Sequence, residues 1–290
     1  MKLIPIKYHN LKYPVYIKPR IIEVAAHFDI NKLPSYLENN NFSLHTEYSA
    51  KKRNFNNHVI QKYKSLVTAQ PNPGKPKLWV SKNWAREFAY FLIELLDGKI
   101  PKIIEIHPPN SRSTNLNEFI EYFKVFENIF LNKDIRCEIL IENRNGFRIS
   151  GIDDFIELFN IIDKEKISLK LIVDFPQLLN YEKAKKDPKV LNETMEKIKS
   201  VKHNINAIHL WGQNGRNSHS GDMLDYFDQN IELKNIFFSK LGEVFNDLES
   251  EMYFIPEINA GANGKTREQC LENIVHDLEQ TGFIFYTNNS

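Results

Sequence analysis

Cysteine is nearly missing: Cys137 and Cys270 are the only two in 290 residues. That excludes a disulfide framework and any cysteine-rich zinc spacing. Cys137, at the head of an apolar run, reads as a small buried apolar residue. Long hydrophobic runs are missing as well. The largest apolar block, FAYFLIELL, falls far short of the about 20 residues that a membrane span requires. The opening MKLIPIKYHN has no stretch apolar enough for a signal peptide. These absences point to a cytoplasmic protein with no membrane partner, and nothing in the chain indicates a protein partner. A third absence is local. Residues 48–86 contain nine Lys and Arg but no Asp or Glu. The net charge of +1 therefore conceals an asymmetry, since residues 1–100 carry 16 basic against 7 acidic side chains. Tyr48, Phe55, Tyr63, Trp79 and Trp84 are interleaved with the basic residues. Two readings stand side by side: a solvated basic loop, or a groove for a polyanion such as DNA, with bases or sugars stacked on the rings.

What is present is enough for a large core: 42% hydrophobic and 12% aromatic residues. Two domains would fit this length, and so would one α/β barrel of about 250 residues. Strand-like runs recur at IIEVAAHF (21–28), FSLHTEY (42–48), KIIEIHP (102–108), EILIE (138–142), LKLIVD (169–174), NAIHLW (206–211) and MYFIPE (252–257). Amphipathic, helix-like stretches lie between the later ones, and a short helix is expected around 31–39. Strands alternating with helices argue for parallel pairing through right-handed crossovers. Seven strands are evident, and KLIPIKY or YPVYIKP within residues 2–18 supplies the eighth. The expected architecture is a single α/β domain over 1–290, a (β/α)8 TIM barrel with an irregular first βα unit. QPNPGKPK (70–77) reads as an excursion within it.

Six consecutive strand ends each deliver a His, Asp or Glu: His45, His107, Glu142, Asp174, His209 and Glu257. A lone strand-end histidine is more often a hydrogen-bonded structural residue than a ligand. In a (β/α)8 barrel, however, these ends ring the catalytic face. Three carboxylates do not stay ionised in one apolar mouth without cations. Mixed imidazole and carboxylate donors suit a divalent metal such as zinc or manganese.

These residues resemble the xylose isomerase-like TIM barrels, and within them endonuclease IV, the AP endonuclease family 2. His45-Thr46-Glu47-Tyr48 is similar to that family's His-x-x-Tyr, and His107-Pro108 to its His-Pro turn. Glu142-Asn143 with Gly146 is similar to its Glu-Asn-Thr-Ala-Gly, His209-Leu210 to its His-Leu-Asn-Asp, and Glu257 to its last-strand Glu. The likeness runs in order over about residues 21–260. It implies one metal on His45, His107 and Glu142 and a second on Glu142, Asp174, His209 and Glu257, with Glu142 bridging two zinc ions. Such a pair polarises a phosphoryl oxygen and supplies hydroxide at neutral pH. The chain departs from the family at its third metal. Gln177 stands where Asp-x-x-His expects His, and Asn217-Ser218-His219 where Asp-x-His is expected. Amide oxygens are poor zinc ligands, so the third site is expected to be degraded.

His219 is a candidate acid or base beside Glu142 and Glu257. Tyr48, Arg144, Gln177, Arg216 and Lys265 are candidate substrate contacts, Arg216 as a phosphate or carboxylate clamp. The 259–266 loop, NAGANGKT, fails the P-loop pattern. Its backbone N–H groups suit an anion, while the bland reading makes Thr266 a helix N-cap. Three functions follow. The first is a metal-dependent phosphodiesterase or hydrolase acting on nucleic acid or another phosphorylated substrate. The second is a single-metal sugar isomerase or epimerase using Glu142, Asp174, His209 and Glu257. The third is a nucleic-acid-binding module of the same fold without turnover. The His45–His107 pair separates the first two, because a one-metal isomerase does not need it as ligands.

Overall fold

The computed structural model describes residues 1–46, 55–68, 77–110 and 114–286. Eight parallel strands close into a (β/α)8 barrel. They are β1 (Lys2–Lys7), β2 (Ile21–Ala26), β3 (Phe42–Thr46), β4 (Ile103–Ile106), β5 (Glu138–Glu142), β6 (Lys170–Asp174) and β7 (Ile205–Leu210). A hairpin of β8 (Gln213–Asn214) and β9 (Asn217–Ser218) then precedes the eighth barrel strand, β10 (Glu251–Pro256). β11 (Ile284–Phe285) pairs with the start of β1. No helix among the described residues is long and apolar enough to cross a membrane.

KLIPIK is the strand expected within residues 2–18. YPVYIKP is a turn, closed by the Ile17 N–H donating to the Pro14 carbonyl at 2.9 Å. The helix expected around 31–39 does not form. Pro34 and the run Asn39–Asn41 favour turns; the Leu37 N–H reaches Pro34 O and the Asn41 N–H reaches Glu38 O. Leu33 and Leu37 are nevertheless buried, so their spacing of four marks a packed loop. The barrel is irregular at its start because no helix links β1 to β2 or β2 to β3.

The chain forms two compact units. The first contains Met1–Ile22, Ser150–Ile156 and the chain from Leu171 onward. In it β1 pairs with β10 (Leu3 with Met252), β10 with β7 (Ile255 with His209) and β7 with β6 (His209 with Asp174). Its helices begin where the side chains dictate. Asp187 caps Pro188–Ile198, which has proline at its first position, where no N–H is needed. Asn230 caps Ile231–Phe245, and Thr266 forms a capping box with Gln269 at the head of Arg267–Gln280.

The second unit contains Glu23–Ile149 and Glu157–Lys170. Here β3 pairs with β4 (Leu44 with Ile104) and β4 with β5 (Ile104 with Ile139). Ser81 caps the helix Lys82–Leu96, and an Asn115–Glu118 capping box starts Leu116–Asn132. Between these helices lies an aromatic core of Trp79, Trp84, Phe88, Phe119, Phe123 and Phe126. Burying each such ring contributes about 1.5–3 kcal/mol. Of the aromatics interleaved in the basic segment, Tyr63, Trp79 and Trp84 are thus taken into the core, and Phe55 stacks on Phe28. Tyr48 and much of 48–86 lie outside the described residues, as does most of QPNPGKPK.

Strand periodicity places the candidate ligands. Alternate residues of a strand share a face. Ser43 and His45 share one, as do Glu105 and His107, Leu140 and Glu142, Ile172 and Asp174, Ala207 and His209, and Ile255 and Glu257. His107 and Glu257 come one residue beyond their strands, while His45 and His209 lie one residue inside theirs.

Candidate metal centre

In the second unit three donor atoms converge. His107 Nε2 lies 3.0 Å from Glu142 Oε2 and 3.3 Å from His45 Nε2, and the third edge, His45 Nε2 to Glu142 Oε2, is 4.0 Å. Tetrahedral zinc with nitrogen and oxygen donors at about 2.0–2.2 Å has donor–donor edges of roughly 3.3–3.6 Å. The triangle therefore brackets what a cation needs, and two imidazoles with a carboxylate are the donor types it prefers. His107 is fully buried, and that burial pushes its imidazole down to about 4, only partly offset by Glu142. It is neutral at pH 7, so its contact with Glu142 is a hydrogen bond and the ring is in the form that ligates metal. The other nitrogen of His45, Nδ1, faces Glu23 Oε1 at 3.2 Å. A carboxylate behind an imidazole fixes which nitrogen carries the proton and turns Nε2 toward the ligand position. Arg144 Nη1 stands 3.5 Å from Glu142 Oε1, and its guanidinium lies over the Phe147 ring.

In the first unit the strand register brings Asp174 beside His209, and Glu257 emerges from the strand on the other side of His209. All three are buried. His209 Nδ1 lies 3.5 Å from Glu257 Oε2. His219 Nδ1 lies 3.4 Å from the same oxygen and 3.2 Å from the Glu257 carbonyl. Asp174 also caps the helix Phe175–Tyr181 by accepting from the Gln177 N–H at 3.0 Å. His219 has φ 56 and ends a loop that folds back on itself. The Gly212 N–H donates to Gly221 O and the Ser220 N–H to Gly212 O, both at 3.0 Å. Only glycine fits at 212, where a Cβ would collide with the Gly221 and Asp222 backbone.

The other candidates fall in different places. Gln177 sits at the first turn after Asp174, half-buried. Asn217 and Arg216 are exposed, Arg216 at the tip of the β8–β9 hairpin. Lys265 is turned inward: its Nζ lies 2.7 Å from Asp222 Oδ2 and 2.8 Å from Asp225 Oδ2. Asp222, Asp225 and Cys270 have donor atoms close enough for a cation, but the Lys265 ammonium already fills that role. Thr266 is the N-cap of the bland reading. Cys137 is only half-buried and precedes β5; burial still pushes its thiol up to about 12.

Several contributors were not read in these roles from the sequence. Glu23 carried a weak signal, a carboxylate within an otherwise apolar strand. Trp79 donates its indole N–H to the carbonyl of His107 at 2.8 Å, and Thr114 donates to the Trp79 carbonyl at 2.5 Å. No local pattern marks such a contact across 28 residues. Trp211 donates its indole N–H to both oxygens of Asp174 at 3.1 Å; it passes for an apolar strand residue.

No protein-family model and no curated protein sequence matches the chain. Solved structures do. AP endonuclease family 2 from Brucella melitensis is similar at TM-score 0.49 and 10% identity, covering 89% of this chain and 88% of that one. A xylose isomerase domain containing protein from Salmonella typhimurium is similar at TM-score 0.48 and 13% identity, covering 96% and 97%. Endonuclease IV from Thermus thermophilus is similar at TM-score 0.45 and 14% identity, covering 90% and 100%. At these identities and scores, any reading of function rests on the residues of the chain itself.

Proposed function

We propose that the protein is a divalent-metal-dependent phosphodiesterase or related hydrolase acting on nucleic acid or another phosphorylated substrate. The observation that carries this reading is the His45–His107–Glu142 triangle, with edges of 3.0, 3.3 and 4.0 Å and Glu23 behind His45. One cation is assigned to that triangle and a second to Asp174, His209 and Glu257. Bound zinc or manganese would polarise a phosphoryl oxygen and make water a nucleophile at neutral pH.

The chain's own residues have distinct parts in this reading. Arg144, beside Glu142, orients a phosphoryl oxygen by paired N–H donation. His219, held against Glu257, moves the proton of the leaving group. The basic residues within 48–86 contribute phosphate contacts. With Tyr63, Trp79 and Trp84 in the core, recognition rests on phosphate more than on base stacking. A single-metal sugar isomerase is the second reading. It is favoured by Glu142 and Glu257, two buried carboxylates that sit beside imidazoles and suit proton transfer at a substrate carbonyl.

The deciding experiment supplies zinc or manganese and measures two reactions in wild type and His107→Ala: cleavage of an abasic-site oligonucleotide and of a simple phosphodiester, and aldose–ketose isomerisation. The hydrolase reading expects phosphodiester cleavage that is lost in His107→Ala. Isomerisation by both proteins, with no phosphodiester cleaved, would overturn it.

A further inference from the structure

From the contacts of Trp211 we infer that it is a positioning residue, one indole that orients both Asp174 and His219. The inference rests on the metal-dependent reading above and adds a residue to it. Trp211 directly follows β7. It is buried, so it is not a platform on which a substrate stacks. Its N–H lies 3.1 Å from each oxygen of Asp174. A donor equidistant from the two oxygens lies in the plane bisecting the carboxylate and anchors its head, while the Gln177 N–H on Oδ1 at 3.0 Å sets its rotation. The ring face carries the imidazole of His219, with centroids 4.2 Å apart and planes at 28°. That stack fixes the plane of the imidazole and directs Nδ1 to the Glu257 carboxylate and carbonyl. The indole and the Tyr226 ring meet edge-to-face with centroids 6.4 Å apart, and the Tyr226 hydroxyl donates to Asn180 Oδ1 at 3.0 Å. The indole is therefore held in turn.

This arrangement has two consequences. An N–H donor on Asp174 holds its carboxylate pre-aimed, as the partner of a metal ligand does. The same ring also ties the aim of Asp174 to the aim of the imidazole on Glu257, so one substitution disturbs both ends of the Asp174–His209–Glu257 set. Phenylalanine at 211 keeps a stacking face and loses the N–H; leucine loses both.

The test is a zinc titration of the full chain in a His107→Ala background, where one cation is expected to remain. Adding Trp211→Phe should weaken that cation's binding by about 10–100-fold. The unfolding midpoint measured without metal should shift downward, as for any buried acceptor that loses its N–H donor, with a cooperative transition retained. A companion measurement needs no metal. The indole should displace the His219 ring-proton resonance upfield in wild-type spectra, assigned through His219→Asn, and Trp211→Leu should remove the displacement. Zinc affinity unchanged by Trp211→Phe would overturn the claim on Asp174. A His219 resonance in the ordinary range in wild type would overturn the stack, even if the 211 variants do not fold. Wild type that binds no zinc while the ring shift is present would reject the metal reading and leave the stack standing.

Discussion

The Nε2 atoms of His45 and His107 face each other at 3.3 Å, with the two rings near parallel, 5.0 Å apart at 25°. Two imidazoles in that pose either share one proton or present two lone pairs to a cation. His107, held to about 4 by burial, does not take a second proton near neutrality. Glu142 completes the triangle. Metal binding there takes the Nε2 lone pair of His107 and leaves the ring proton on Nδ1, so affinity is expected to fall as pH drops toward the His107 value of about 4. Zinc titrations from pH 7 down to pH 4 would show that loss, and affinity constant over the whole range would contradict the assignment.

Glu23 sets the tautomer of His45. Glu23→Ala is expected to weaken the cation on the His45 triangle by about 10–100-fold. Glu23→Gln, whose amide oxygen still accepts from Nδ1–H, should lose less. Competition with a chromogenic chelator measures both, and wild-type affinity in Glu23→Ala would show that the contact does not position the ligand.

Lys265 is expected to matter for stability rather than for substrate. Lys265→Met leaves Asp222 and Asp225 buried without their cation, a change that costs about 3–5 kcal/mol, while bound metal should be unchanged. Burial alone would lower the Lys265 ammonium, but hydrogen bonds to Asp222 and Asp225 outweigh it and the net shift is upward. Burial alone would raise Asp225, but Lys265, the Asp222 N–H and Asn263 outweigh it and the net shift is downward. The contribution of Asp225 is thus present above the ordinary carboxylate range and lost as pH falls through its depressed value. That of Lys265 is present below the ordinary lysine range and lost as pH rises through its raised value. Urea unfolding between those limits should show a plateau that Lys265→Met lowers. Unaltered stability together with weakened substrate binding would restore the substrate-contact role.

Trp79 ties the aromatic core to the centre. Trp79→Phe removes the N–H that serves the buried His107 carbonyl and should cost about 1–3 kcal/mol, read as a shift in urea midpoint. A midpoint equal to wild type would mean the carbonyl finds another donor.

The barrel was legible because each strand carries its own apolar run and six of the eight end on a His, Asp or Glu, a pattern set by period-2 geometry. All six strand-end residues stand at or next to the end of their strand. The loops were less legible. The 31–39 segment has helical spacing in Leu33 and Leu37, but Pro34 and the asparagines turn it. Lys265 reads in the sequence as a candidate substrate contact, and tertiary packing places two aspartates around it. Glu23, Trp79 and Trp211 act through contacts between distant parts of the chain, which no local periodicity reports. The interleaved aromatics of 48–86 misled for the opposite reason: Trp79 and Trp84 are spaced like a stacking surface but belong to the core.

The most direct measurement is metal content by elemental analysis of zinc-reconstituted protein for wild type, His107→Ala and Asp174→Asn. Two cations per chain in wild type and one in each variant is the expected result. A single cation in wild type, retained in His107→Ala, would contradict the two-cluster assignment.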